Sequence, residues 1–316
     1  MLAVLGVLIS CVVTAGLVYI GIGHSESFPW IAAFLTGAIL AATDPVAVIS
    51  QLRANHAPED LTALFEGESL LNDATAIVLF TMVIGFATQT WSNEANYFSY
   101  FAQVFFGGIA VGAILGLLAI FIIMLIADAI ATRFILIITA FFSFYCAEHI
   151  LHVSGILAVT ITAVTTRFAL EKVESTMMQG VGETWEWLGL FFNSLLFVIM
   201  GLVVTINMFQ ERWLAMLVAI AASLVARAVA VTVSSLITKP LPNHISMGWQ
   251  ILLIWGGLRG AIAIALVLSL PTSLPYWWTI QSMVFGVVVF SMLIQGTTNS
   301  KLVRKYGHAI SANNEN

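Results

Sequence analysis

Long apolar runs alternate with short polar segments along the whole chain. A helix that crosses a bilayer needs about 20 mostly apolar residues, and the pattern contains about ten such runs. It therefore predicts an all-α polytopic membrane protein with about ten transmembrane helices. The predicted spans lie at about 1–21, 28–52, 60–87, 98–126, 132–151, 153–170, 186–209, 212–237, 247–270 and 278–298.

The positive charges of the loops lie mainly on one side of these spans. Of the 11 Lys and Arg residues, only Arg212 falls on the opposite side, and Arg227 and Arg259 lie within spans. Cytoplasmic loops are enriched in Lys and Arg. The distribution therefore predicts a multi-pass protein of the plasma membrane with both termini in the cytoplasm. The residues on the positive side are Arg53, Arg133, Arg167, Lys172, Lys239, Lys301, Arg304 and Lys305.

Composition excludes several classes of protein. Hydrophobic residues make up 60% of the chain and charged residues 9%, which is unlike a soluble globular domain. The net charge is −5 and no basic patch suggests a nucleic-acid partner; membrane lipid is the expected surrounding. Cys11 and Cys146 lie in apolar runs without a metal-binding spacing, so we expect neither a disulfide framework nor a cofactor.

Two of the predicted spans contain residues that break helices. Thr43-Asp44-Pro45 interrupts the second span, because proline lacks an amide hydrogen and disfavours helical backbone at the residue before it. Three glycines surround Arg259 in the ninth span, at 256–260. Interrupted spans in corresponding positions of two halves indicate the binding site of a secondary transporter.

The order of the spans suggests an internal repeat of inverted topology. Spans one to three correspond to spans eight to ten, and the interrupted span is central in each triplet. By the same count, three further helices would precede residue 1. The predicted organisation is 1–97 as core helices of the first repeat (broken helix 28–52), 98–126 as a linker helix, 127–211 as scaffold helices, 212–300 as core helices of the second repeat (broken helix 247–270) and 301–316 as a short cytoplasmic tail.

Asp73 is the strongest candidate for a functional residue. It lies in the third span about 20 Å from the start near residue 60, close to the middle of the bilayer. A carboxylate there is costly unless an ion, a proton or a partner compensates it. Ser69 precedes Asp73 by four residues and Asn72 by three, so all three side chains share one helix face.

Three other charges lie within spans. Glu68 and Arg227 lie at similar depths in the third and eighth spans, about 12 and 15 Å from the cytoplasmic ends, which makes an ion pair with a structural role plausible. Arg259 lies near the middle of the ninth span, where it can neutralise backbone carbonyls at the helix interruption. We treat these three residues as supporting charges.

Three motifs together resemble the sodium/proton exchanger branch of the monovalent cation/proton antiporter superfamily, of the bacterial NhaP type. They are Ala42-Thr-Asp-Pro-Val-Ala-Val48, Phe65-Glu-Gly-Glu-Ser-Leu-Leu-Asn-Asp-Ala74 and Gly256-Gly-Leu-Arg-Gly-Ala-Ile-Ala263. The resemblance implies an inverted-repeat fold with two crossed broken helices, about thirteen spans in a family member, and a homodimer.

The resemblance also implies roles for the candidate residues. Asp73 would carry sodium and proton alternately, Asp44 and Thr43 would contribute from the broken helix, and Asn72 would orient or assist. Asn72 in place of a second aspartate marks electroneutral exchange in this family. Hard cations prefer oxygen ligands, and the expected sodium site is formed by Asp73, Asp44, Ser69 and Thr43.

Other functions remain open at this point. Asp44 and Asp73 could form the carboxylate dyad of an intramembrane aspartyl protease, although Asn72 suits ion coordination better and that chemistry leaves both helix interruptions unexplained. A sodium-coupled symporter could use the same kind of fold. The chain could also insert into the membrane without transporting. The preferred cation, among sodium, lithium and potassium, is not determined by the sequence.

Overall fold

The computed structural model describes residues 2–22, 28–87, 97–170, 178–238 and 245–307. Within these ranges every regular element is helical, which confirms the predicted all-α class. The α-helices are α1 (Leu2–Gly21), α2 (Trp30–Ile39), α3 (Val46–Ala54), α4 (Glu59–Ala87), α5 (Tyr97–Ile126), α6 (Ala129–Tyr145), α7 (Gly155–Leu170), α8 (Val181–Val203), α9 (Ile206–Thr238), α10 (Met247–Trp255), α11 (Ala261–Leu268), α12 (Trp277–Phe290) and α13 (Gly296–Tyr306).

Seven helices in this described part are long and apolar enough to cross a membrane. The predicted second span consists of two short helices, α2 and α3, separated by residues 40–45. The predicted ninth span consists of α10 and α11, separated by residues 256–260. The two broken helices are thus confirmed, whereas the total of ten spans stays a prediction.

The chain divides into two compact units, of which the first comprises Met1–Gln89 and Leu196–Asn316. In this unit α9 packs against both α1 and α12. α2 lies against both α1 and α4. One buried cluster joins α3, α4, α9, α10 and α13; it contains Val48, Leu52, Leu61, Phe65, Val231, Trp249, Leu252, Leu253, Leu258 and Val303.

The second unit comprises Thr90–Leu195. In it α5 and α7 pack closely because α5 presents glycines at every fourth position. A Cβ atom on Gly108 would lie 2.6 Å from the carbonyl oxygen of Ser154, and one on Gly112 would lie 2.4 Å from that of Ala158. The hydroxyl of Thr162 donates to the Gly112 carbonyl at 3.0 Å. Small residues permit this approach between helix backbones.

Two helices contain a π-helical turn, at Cys146–Ile150 after α6 and at Ser291–Gln295 between α12 and α13. The last helix continues to Tyr306 and Val303 is buried in it, so the predicted tail boundary at 301 falls inside a helix. The boundary predicted at 212 coincides with non-helical backbone at Arg212 within α9. The predicted cytoplasmic charges Lys172 and Lys239, and tail residues 308–316, lie outside the described residues.

Gly37 tests how closely α1 and α2 must approach. A Cβ atom there would lie 2.4 Å from the backbone carbonyl oxygen of Cys11, whereas nothing lies within 4 Å of a Cβ atom on Gly16 of α1. Gly37→Ala should therefore destabilise the protein by about 1–3 kcal/mol, because overpacking forces backbone shifts. Gly16→Ala is the control and should be neutral or stabilising. Equal thermal unfolding midpoints for the two variants in detergent would contradict this packing.

Candidate ion-binding site

The two helix interruptions meet in the first unit. The amide of Asp44 donates to the carbonyl oxygen of Leu258 at 2.7 Å, so each interruption satisfies a backbone group of the other. Gly260 permits this contact: a Cβ atom on it would lie 2.1 Å from Oδ2 of Asp44. The residue after Arg259 must therefore lack a side chain for the Asp44 carboxylate to lie here.

The carboxylate of Asp44 lies at the start of two half-helices. Its Oδ1 accepts a hydrogen bond from the amide of Val46 at 3.1 Å, in the first turn of α3. It also faces the backbone amide of Ala261, the first residue of α11. Helix N-termini carry unsatisfied N–H groups and partial positive charge, which favour an anion. This position stabilises the half-buried Asp44 carboxylate.

Helix α4 supplies side chains that satisfy the first interruption. The hydroxyl of Ser69 donates to the carbonyl oxygen of Thr43 at 2.6 Å. The amide Nδ2 of Asn72 donates to the hydroxyl oxygen of Thr43 at 3.2 Å. The Asp73 carboxylate faces the backbone amide of Thr43 and the hydroxyl of Ser69. The structure thus brings all five predicted ion-binding residues together.

Two buried oxygens in this cluster lack a hydrogen-bond donor. They are Oδ1 of Asn72 and Oδ1 of Asp73, and no donor among the described residues reaches either. Asn72 has committed its Nδ2 group to Thr43 and Glu68, so its remaining oxygen is available to a cation. An unsatisfied buried oxygen is costly. A cation or, for Asp73, a proton would remove that cost.

Glu68 and Arg227 form the buried ion pair of the first unit. One guanidinium nitrogen, Nη2, donates to Oε2 of Glu68 at 2.7 Å, and Nη1 donates to Oε1. Arg227 Nε donates to the carbonyl oxygen of Leu253 at 3.0 Å, and Asn72 Nδ2 donates to Glu68 Oε1 at 2.6 Å. The pair is therefore bidentate and joins α4, α9 and α10, which is the geometry that a buried pair needs to offset desolvation.

Arg259 lies in the second interruption and binds the first. Its Nη1 donates to the carbonyl oxygens of Ala41 at 3.0 Å and of Ala42 at 2.8 Å. These carbonyls follow the C-terminal end of α2, where the helix dipole is negative and carbonyls lack intrahelical partners. The side chain is 2% exposed, so its charge is directed entirely to this end of the site.

Ser291 and Gln295 also contact the second interruption, although they are not among the site residues predicted from the sequence. The amide of Arg259 donates to Ser291 Oγ at 2.8 Å, and Gln295 Nε2 donates to the carbonyl oxygen of Trp255 at 3.1 Å. The available signal is two polar residues four positions apart in the last span, which also contains Gln281 and Ser282. Neutral polar residues are less costly in a membrane than charges, so this signal is weaker.

The protein family described as "Sodium/hydrogen exchanger, transmembrane" matches residues 1–305 of this chain. The chain belongs to the sodium/hydrogen exchanger family. Among curated relatives, the Na(+)/H(+) antiporter ApNhaP of Aphanothece halophytica is 34% identical, over 97% of this chain and 59% of its own length. NhaG of Bacillus atrophaeus is 32% identical, over 87% and 53%, and NhaP of Pseudomonas aeruginosa is 31% identical, over 96% and 73%.

The solved structure of a sodium proton antiporter has the same fold. The sodium proton antiporter MjNhaP1 from Methanocaldococcus jannaschii superposes with a TM-score of 0.84 at 20% identity, covering 97% of this chain and 78% of that one. The resemblance to the sodium/proton exchanger branch is thus confirmed, and so is the antiporter fold. This chain spans between about half and three-fifths of the length of the first curated relatives.

Removal of one partner tests the ion pair. Glu68→Gln leaves Arg227 buried without its carboxylate, so we expect a loss of about 3–5 kcal/mol of stability. Glu66→Gln is the control, because the Glu66–Arg53 pair is 48% and 68% exposed and exposed pairs contribute about 0–1 kcal/mol. The readouts are thermal unfolding and the yield of monodisperse protein.

The double variant Glu68→Arg with Arg227→Glu isolates the pairing itself. It restores opposite charges in the same place, so its stability should exceed that of Glu68→Gln, although the Leu253 carbonyl would lose its donor and Asn72 Nδ2 its acceptor on residue 68. A double variant no more stable than the single one would contradict a role for mutual attraction.

Proposed function

We propose that this protein exchanges sodium, or another monovalent cation, for protons across the membrane. The observation that carries the proposal is the pair of buried oxygens, Asn72 Oδ1 and Asp73 Oδ1, without donors beside a second carboxylate. A donor-poor cluster of oxygens is suited to a hard cation. The curated relatives, which are named as sodium/proton antiporters, support the same conclusion.

The cation would be bound by Asp73, Asp44, Ser69 and Thr43. Ser69 has lone pairs to offer because it donates its proton to a backbone carbonyl, and Thr43 keeps one lone pair after it accepts from Asn72. Asn72 orients or assists: its two donated bonds fix the amide plane between Glu68 and Thr43, and its Oδ1 stays available to the cation. Sodium is the transported substrate here, and we propose no cofactor and no enzymatic activity.

Competition for one carboxylate is sufficient for exchange. Asp73 can be neutralised by a proton or by a cation, and the binding of one excludes the other. If the site changes from facing one side of the membrane to facing the other only when this charge is neutralised, one cation moves against one proton. The other charges have fixed partners: Arg227 pairs with Glu68, Arg259 binds helix-end carbonyls, and Asp44 accepts from the amide of Val46. The process is then electroneutral.

The environment of Asp44 favours exchange over the protease alternative. A carboxylate dyad must share a proton and activate water, whereas Asp44 is engaged by the amide of Val46 at a helix start. We further propose a location in the plasma membrane with both termini cytoplasmic, and a homodimer surrounded by lipid. A sodium-coupled symporter would move both ions in the same direction, which a vectorial flux assay distinguishes.

Asp73→Asn should abolish exchange and leave the fold intact, because asparagine cannot alternate between a proton and a cation. The measurement is sodium-driven proton movement in proteoliposomes that contain a pH-sensitive dye. Asp128→Asn is the control: Asp128 Oδ1 accepts from the amide of Ala131 at the start of α6, and asparagine caps a helix equally well. Exchange retained by Asp73→Asn, or absent from folded wild type, would overturn the proposal.

Competition also predicts the pH dependence of transport. As the pH falls, the apparent KM for sodium should rise by up to about tenfold per pH unit, since protons occupy the same carboxylate by mass action. The maximal rate at saturating sodium should change little. Initial rates at a series of sodium concentrations and pH values measure both quantities. A maximal rate that falls with pH at constant KM would show that the two ions do not compete.

A further inference from the structure

The segment from Ser291 to Asn299 carries polar side chains that the exchange chemistry does not use. Ser291, Gln295 and Asn299 are 0%, 4% and 0% exposed, and they follow one another at intervals of four residues. Buried polar groups in a membrane helix are costly unless they are hydrogen-bonded. We call this stretch the clamp segment; it consists of the π-helical turn Ser291–Gln295 and the first residues of α13.

Ser291 and Gln295 of the clamp segment bind the two ends of the second interruption. Ser291 Oγ accepts from the amide of Arg259 at 2.8 Å, and Gln295 Nε2 donates to the carbonyl of Trp255 at 3.1 Å. A helix interruption leaves such backbone groups without partners. The interruption at 256–260 is therefore fixed at each end by a side chain of the neighbouring helix.

The remaining contacts extend the clamp to the first broken helix. Gln51 of α3 donates through Nε2 to the carbonyl oxygen of Gly296 at 3.0 Å and accepts from Asn299 Nδ2 at 2.9 Å. The indole of Trp255 donates to the hydroxyl of Thr298 at 2.9 Å. Both broken helices are thus hydrogen-bonded to one stretch of one helix.

A short chain of contacts leads from Ser291 to the ion-binding cluster. Ser291 holds the backbone of Arg259, and the guanidinium of Arg259 holds the carbonyls of Ala41 and Ala42. The next residue is Thr43, whose hydroxyl and carbonyl contact Asn72 and Ser69. A displacement of the Arg259 backbone therefore moves the first interruption, although in the described part of the chain Ser291 makes no hydrogen bond to a proposed cation ligand.

The two repeats use the same spacing for different purposes. In α4, Ser69 contacts the first interruption and Asp73 follows it by four residues. In the clamp segment, Ser291 contacts the second interruption and Gln295 follows it by four residues. The first pair ends in a carboxylate that can bind a proton or a cation, and the second ends in a neutral amide that donates to backbone. The π-helical turn, a feature often found at functional sites, occurs in the second pair.

We propose that Ser291 and Gln295 are positioning residues for cation binding, which act by fixing the second interruption and, through Arg259, the first. This inference rests on the proposed exchange function. It assigns the clamp segment a role that differs from packing: loss of its hydrogen bonds should weaken cation binding more than it lowers the stability of the fold.

Ser291→Ala tests the proposal, with Ser282→Ala as the matched control. Ser282 lies in α12 and is also 0% exposed, but its hydroxyl donates to the Trp278 carbonyl of its own helix. Two quantities are measured for each variant: hydrogen–deuterium exchange of the peptide that contains residues 256–260, and the KM for sodium in proteoliposomes. Ser291→Ala should raise the rate of amide exchange and the KM for sodium by about tenfold each, the effect of one lost buried hydrogen bond. Ser282→Ala should change neither quantity.

Two further variants keep the test decisive. Ser291→Thr retains the hydroxyl and should restore both values, and Gln295→Met should reproduce the effect of Ser291→Ala at the other end of the interruption. Equal amide exchange in the Ser291→Ala and Ser282→Ala proteins would overturn the clamp, whether or not the protein transports. Faster amide exchange with an unchanged KM would overturn the positioning role. Wild-type protein without sodium-driven proton flux would instead refute the proposed transport function. The rates of amide exchange would then still show whether Ser291 and Gln295 fix the second interruption.

Discussion

The contact between two interrupted helices is the constraint on which the structure of the first unit depends. Hydrocarbon offers no partner for a free N–H or C=O group, so irregular backbone at this depth must be satisfied by protein. Asp44 and Leu258 satisfy one another directly. Five further backbone groups have side-chain partners: Ser69 for Thr43, Arg259 for Ala41 and Ala42, Ser291 for Arg259, and Gln295 for Trp255. This one requirement accounts for Ser69, Arg259, Ser291 and Gln295.

The same constraint separates structural charges from the charge that is available for chemistry. Glu68 has Arg227 and Asn72 as donors, and Arg259 is committed to carbonyl oxygens. Asp44 has the N-terminus of α3. Asp73 retains an oxygen with no donor in the described part of the chain. Because an ionised carboxylate is costly in a medium of low dielectric constant, the group with the fewest fixed partners is the one that gains most from a mobile proton or cation.

Much of this arrangement could be predicted from the sequence, because charges, prolines and glycine clusters are rare in apolar spans. These signals located both broken helices and brought Asp44, Asp73, Glu68, Arg227 and Arg259 into consideration. The direction of individual hydrogen bonds could not be predicted. That Asn72 donates to Glu68 as well as to Thr43 depends on the relative positions of α4 and the first interruption. The end of α13 was also missed, because its residues are too polar to extend an apolar span although Val303 is buried.

The least predictable feature is the polar face of the last helix, and it bears on how two similar repeats would divide the proposed exchange. A carboxylate in both third helices would add another ionisable group to Asp44 and Asp73 at the crossing, and like charges at close range oppose one another. Here the second repeat has Gln295 where the spacing of the first gives Asp73. Its amide is neutral at every pH and donates to the Trp255 carbonyl, so it can fix the interruption without competing for a proton. Fold symmetry is thereby retained while the proton site of the proposed exchange is confined to one half.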